Sequence, residues 1–130
     1  MEIIINFTGG MKVDAVAGEF TIKTDQLAPH GEGSAPEPFT LFLASLGTCA
    51  GVYIMGFCRK RDLPTKGIRL VQENVFDKEK HRLTDVRLRI EVPKDFPEKY
   101  HDALIRSAEQ CAVKRALADP PNIQVETSVV

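Results

Sequence analysis

The sequence predicts a single domain in which strands and helices come in separate blocks, and three observations carry that reading. Residues 2–23 hold three short apolar or alternating runs punctuated by Gly9-Gly10 and Gly18-Glu19. The stretch from Pro38 to Cys58, PFTLFLASLGTCAGVYIMGFC, runs for 21 residues without one charged side chain. Beyond it, a second alternating β block precedes a second helical pattern that has one charged face.

The elements follow in chain order. Glu2 to Phe7 is rich in isoleucine and reads as a strand, Met11 to Ala17 alternates as another, and Phe20 to Lys23 is a third, giving a meander. Asp25 to Glu37 collects proline, glycine, serine and acids, as a loop does. Pro38 suits a first helical turn, and Ser34-x-x-Glu37 before it resembles a capping box. In the charge-free stretch Phe39, Phe42, Leu43, Leu46, Ala50, Tyr53, Ile54 and Phe57 form one apolar stripe. Leu41, Ala44, Ser45, Thr48, Val52 and Met55 fill the opposite side. A helix with no polar face must be covered on every side or lie in lipid. Its glycines, Gly47, Gly51 and Gly56, dilute the run and its surroundings are those of a soluble protein, so the expectation is a buried core helix and no membrane partner. Arg59, Lys60 and Arg61 place cations where the helix dipole favours them, and Asp62-Leu63-Pro64 stops the helix.

Ile68 to Phe76 and Thr84 to Val92 read as two strands around the polar turn Lys78 to His81; Val86, Leu88, Ile90 and Val92 alternate with Asp85, Arg87, Arg89 and Glu91. A second helix starts at Phe96-Pro97-Glu98, with Tyr100, Leu104, Ser107, Ala108 and Cys111 at helical spacing. A short segment, Val113 to Leu117, follows, and Ile123 to Val130 alternates as a final strand. No repeat or linker divides the chain, so residues 1–130 are expected to form one domain.

Bulk composition narrows the function classes. With 43% hydrophobic and 27% charged residues the chain is an ordinary globular protein; its 17 basic and 18 acidic side chains are interspersed and sum to −1, which offers no basic field for nucleic acid. The amino terminus is no secretory signal, and three cysteines, an odd number, fit a reducing cytoplasm better than a disulfide scaffold. His30, His81 and His101 lack metal-ligand spacing, and Gly31-x-Gly33 is loop punctuation. Cys49 and Cys58 lie nine residues apart, roughly 13 Å of helical rise on opposite faces, so they cannot bridge. Taken singly, each cysteine reads as a small hydrophobe.

The segments GSAPEPFTLFLASLGTC and AEQCAVKRAL, whose cysteines lie 62 residues apart, resemble the two cysteine motifs of the OsmC/Ohr family, the osmotically induced and organic hydroperoxide resistance proteins. The order of elements agrees over essentially the whole chain. The resemblance implies an α+β fold in which antiparallel sheets pack around two central cysteine-bearing helices of an intertwined homodimer. It implies reduction of organic hydroperoxides without metal or organic cofactor, with Cys49 peroxidatic, Cys111 resolving and a dithiol as reductant. Family members carry an arginine after a Gly-Gly turn and a glutamate early in the first motif. Here those positions hold Met11 followed by Lys12, and Thr40, so Lys12 is the expected cation and Thr40 the expected hydroxyl donor. Two other expectations compete: an OsmC-fold protein that binds an apolar or thiol-reactive small molecule, and a structural dimer module whose cysteines are core.

Overall fold

A computed structural model describes residues 1–130, which pack as two compact units, Met1–Ala44 and Ser45–Val130. In the first, β1 (Ile4–Gly9), β2 (Lys12–Ala17) and β3 (Phe20–Ile22) form an antiparallel meander in that order. Phe7 pairs with Val13 and Ala15 with Ile22; a bulge falls between Phe7 and Gly9. The tight turn after it needs left-handed backbone, and Gly10 supplies it with φ of 58°. The apolar side chains of this sheet, Ile4, Ile5, Phe7 and Phe20 among them, are exposed.

The loop after β3 is organised around Asp25, which is 1% exposed. Its carboxylate accepts the Gln26 N–H (2.8 Å), the Ser34 N–H (3.0 Å) and the Ser34 hydroxyl (2.7 Å), and these bonds hold its pKa down to about 2, the Ser34 hydroxyl contributing most. Gly31 closes the loop where a side chain has no room: a Cβ there would stand 2.3 Å from the Gln26 carbonyl oxygen. Ser34 is therefore committed to Asp25 and caps no helix. The first helical bonds run instead from Thr40 N–H (3.0 Å) and Leu41 N–H (3.3 Å) to the Glu37 carbonyl.

Helix α1 (Pro38–Arg59) starts in the first unit and continues into the second. It ends in a Schellman motif: Leu63 N–H reaches the Cys58 carbonyl (3.0 Å), Asp62 N–H the Arg59 carbonyl (3.3 Å), and Asp62 takes the left-handed position at φ 53°. By length and composition alone α1 could cross a membrane. Its buried residues form one stripe four apart, Leu46, Ala50, Ile54 and Cys58, while Thr48, Val52 and Met55 are exposed. In the single chain α1 is thus buried along one stripe, and not on every side.

In the second unit β4 (Arg69–Asp77) and β5 (Arg82–Glu91) form an antiparallel ribbon in which Gln72 faces Leu88. Gly47 leaves room on α1 for the Gln72 side chain of β4, whose oxygen would lie 2.6 Å from a Cβ there. Ion pairs such as Arg89–Glu91 (3.1 Å) and Arg87–Glu73 (3.6 Å) lie on exposed or half-exposed side chains of the ribbon and add little stability. A 3-10 turn, Glu98–Tyr100, leads into α2 (His101–Glu109), and α3 (Ala112–Ala118) follows. The core of the unit is Ile54, Cys58, Phe96 and Leu104, with Leu63, Ile68, Leu70, Ile90 and Val92 packed around it.

Two expectations are corrected here. Residues Ile123 to Val130 form no strand: they have no regular structure and are exposed, because a lone extended segment without a paired edge leaves its backbone to water. Cys111 lies in no helix either. Its φ of −59° and ψ of 140° break the chain between α2 and α3.

Candidate active site

Cys49 sits half-buried in the middle of α1, and Cys111 is 2% exposed at the N-cap of α3. The extended backbone at Cys111 turns its sulfur back over α3, where it accepts the Lys114 N–H at 3.2 Å, as an N-cap side chain does. The same turn presents the next backbone donors to Cys49. The Cys49 sulfur accepts hydrogen bonds from the Val113 and Ala112 N–H groups and meets the Cys111 side chain, and Arg115 adds positive charge. Together these lower the Cys49 pKa, the Val113 bond most, against burial, which raises it. All three cysteines are free thiols.

The structure therefore brings Cys49 and Cys111 together. Cys58 is fully buried in the core, where desolvation pushes its pKa up, and it acts as a small hydrophobe. Lys12 lies on β2 in the first unit, paired with Glu32, whose hydrogen bond raises the lysine pKa. Thr40 is exposed in the first turn of α1. Three contributors were not among the expected site residues: the Ala112 and Val113 N–H groups, which follow from the break at Cys111, and Arg115. Arg115 donates to the Tyr53 hydroxyl at 3.2 Å. Its signal was present in the motif, a cation four residues past Cys111.

From Tyr53 an open groove of about 590 Å³ continues along α1. Val52, Gly56 and Phe57 give it an apolar floor; Lys60, Arg61, Ser107 and Gln110 complete its lining. The Arg61 guanidinium is stacked 3.8 Å above the Phe57 ring and donates to the Phe57 carbonyl (3.3 Å). No group of three or more His, Cys, Asp or Glu side chains converges to hold a metal. The arrangement offers a thiol whose pKa is lowered and a second thiol beside it, with an apolar-floored groove beginning at Tyr53.

Comparisons with known proteins agree with this architecture. A candidate osmotic stress induced and detoxification response protein from Psychrobacter arcticus 273-4 is similar in fold, with a TM-score of 0.75 at 20% identity over 88% of this chain and 85% of that one. An OsmC like protein from Mycoplasma pneumoniae gives a TM-score of 0.73 at 14% identity, over 92% and 87%. An organic hydroperoxide resistance protein OsmC from Legionella pneumophila gives 0.61 at 22% identity, over 90% and 89%. Among curated proteins no sequence match is found. The family model described as OsmC-like protein matches residues 31–126, a span that includes both Cys49 and Cys111, and the α+β chain belongs to that family.

Proposed function

We propose that the protein is a thiol peroxidase that reduces organic hydroperoxides, with Cys49 as the attacking thiolate and Cys111 as the resolving thiol. The observation that carries this reading is the Cys49 sulfur, drawn toward its thiolate by the Val113 and Ala112 N–H groups, with a second free thiol beside it. Membership in a family that includes peroxide-resistance proteins supports it.

The thiolate attacks one peroxide oxygen; an S–O bond forms as the O–O bond breaks, and the alkoxide leaves as an alcohol after taking a proton. The Cys111 thiol then attacks the Cys49 sulfenic acid, an S–S bond forms and water departs. An external dithiol restores both thiols by exchange and is itself oxidised. The apolar floor at Val52, Gly56 and Phe57 suits an alkyl or aryl peroxide better than hydrogen peroxide.

The proposal includes a homodimer in the cytoplasm. Val52 and Met55 are exposed apolar side chains on α1, and exposed apolar surface of that kind favours a partner surface. A second reading, binding of an apolar or thiol-reactive molecule without turnover, is favoured by the groove beside Tyr53. Steady-state consumption of cumene hydroperoxide with dithiothreitol decides between them. Multiple turnovers that vanish in Cys49→Ser support the peroxidase; a single stoichiometric adduct on Cys49 without turnover supports the binder.

A further inference from the structure

The residues around the two thiols repeat one spacing. Cys49 and Tyr53 are four apart on α1, and Cys111 and Arg115 are four apart from the N-cap into α3. Cys49 meets Cys111, and Tyr53 accepts from Arg115, so the two segments are joined by two rungs with the same separation of 62 residues. One helical turn, roughly 6 Å of rise, separates the rungs. A guanidinium held on the second rung is within electrostatic reach of a sulfur on the first. Lys12, the cation expected from sequence, already has its charge matched by Glu32.

We propose that Arg115 is the side-chain cation that activates Cys49, and that Tyr53 is the positioning residue that holds it there. This rests on the peroxidase reading of the same site, and it gives Tyr53 a role besides lining the groove: its hydroxyl fixes a flexible, exposed arginine that would otherwise sample many rotamers. Because Arg115 is exposed, its effect is that of a screened pair and not of a buried one.

The test is the pH profile of Cys49 alkylation by iodoacetamide, read by peptide mass mapping in the full-length protein. Arg115→Gln should move the profile to higher pH and slow alkylation at pH 7 about two- to fivefold, the range of an exposed pair. About 1 M salt should shrink the difference between variant and parent. Arg115→Lys should restore most of the rate, and Tyr53→Phe should reproduce part of the Arg115→Gln shift while keeping the ring. A profile of Arg115→Gln that superimposes on the parent overturns the proposal, as does a Tyr53→Phe profile identical to the parent for the positioning role. Alkylation needs no peroxide, so the two readings fail separately: a shifted profile without hydroperoxide turnover removes the peroxidase, whereas turnover with an unshifted profile removes Arg115.

Discussion

Replacing Leu104 by alanine should be among the costliest single changes in the second unit. Leu104 is 1% exposed and closes the core formed with Ile54, Cys58 and Phe96. Removing its isobutyl group loses the transfer free energy of the buried carbons and leaves a cavity that α1 and α2, as rigid helices, only partly fill, for a cost of about 2–5 kcal/mol. Unfolding entropy near 60 °C is about 2.1 cal/mol/K per residue, or about 0.27 kcal/mol/K for 130 residues, so a loss of about 3 kcal/mol lowers Tm by about 11 °C. Differential scanning calorimetry at one fixed protein concentration is the assay, because any self-association would add a concentration-dependent term. Ile105, the next residue and 51% exposed, is the control: its alanine variant should cost less than about 1 kcal/mol. A Leu104→Ala loss no larger than that of Ile105→Ala would refute the placement of the core at the α1–α2 contact.

Two further outcomes follow from other parts of the chain. Asp25 has a folded pKa of about 2, below its ordinary value of 3.8, so its contribution to stability is present above about pH 4 and is lost as pH falls toward 2. Urea midpoints of Asp25→Asn should therefore vary less between pH 5 and 2 than those of the parent, and equal slopes would count against the Ser34 and Gln26 bonds. A Cβ on Gly51 would meet no atom within 4 Å in the single chain, so Gly51→Ala should stabilise a monomer by about 1 kcal/mol through helix propensity. If a second copy covers that face of α1, as proposed, the added methyl should instead weaken self-association in sedimentation equilibrium.

Much of the fold was legible because the sequence punctuates it. Pro38 and the Arg59-Lys60-Arg61 run bracket α1 as it is observed, and the glycine turns set the meander. What the sequence did not disclose depends on contacts between distant residues. Ser34 looked like a helix cap by its spacing to Glu37, yet a buried carboxylate nine residues upstream takes both its N–H and its hydroxyl. Ile123 to Val130 alternates like a strand, but alternation specifies a face and not a partner. Cys111 fits the period of α2, and only the extended backbone there shows that it caps α3 and turns the Ala112 and Val113 N–H groups toward Cys49. Both cysteines were visible from the motifs, whereas the groups that lower the Cys49 pKa were hidden because two of them are backbone.

The most direct measurement is peptide mapping after one equivalent of cumene hydroperoxide is added to the reduced protein. The pairing of Cys49 with Cys111 predicts a single new disulfide between those two residues, formed equally well in Cys58→Ser, with the Cys58 thiol of the parent left unmodified. Accumulation of Cys49 sulfinic acid with Cys111 still a free thiol, or a bridge that involves Cys58, would contradict it.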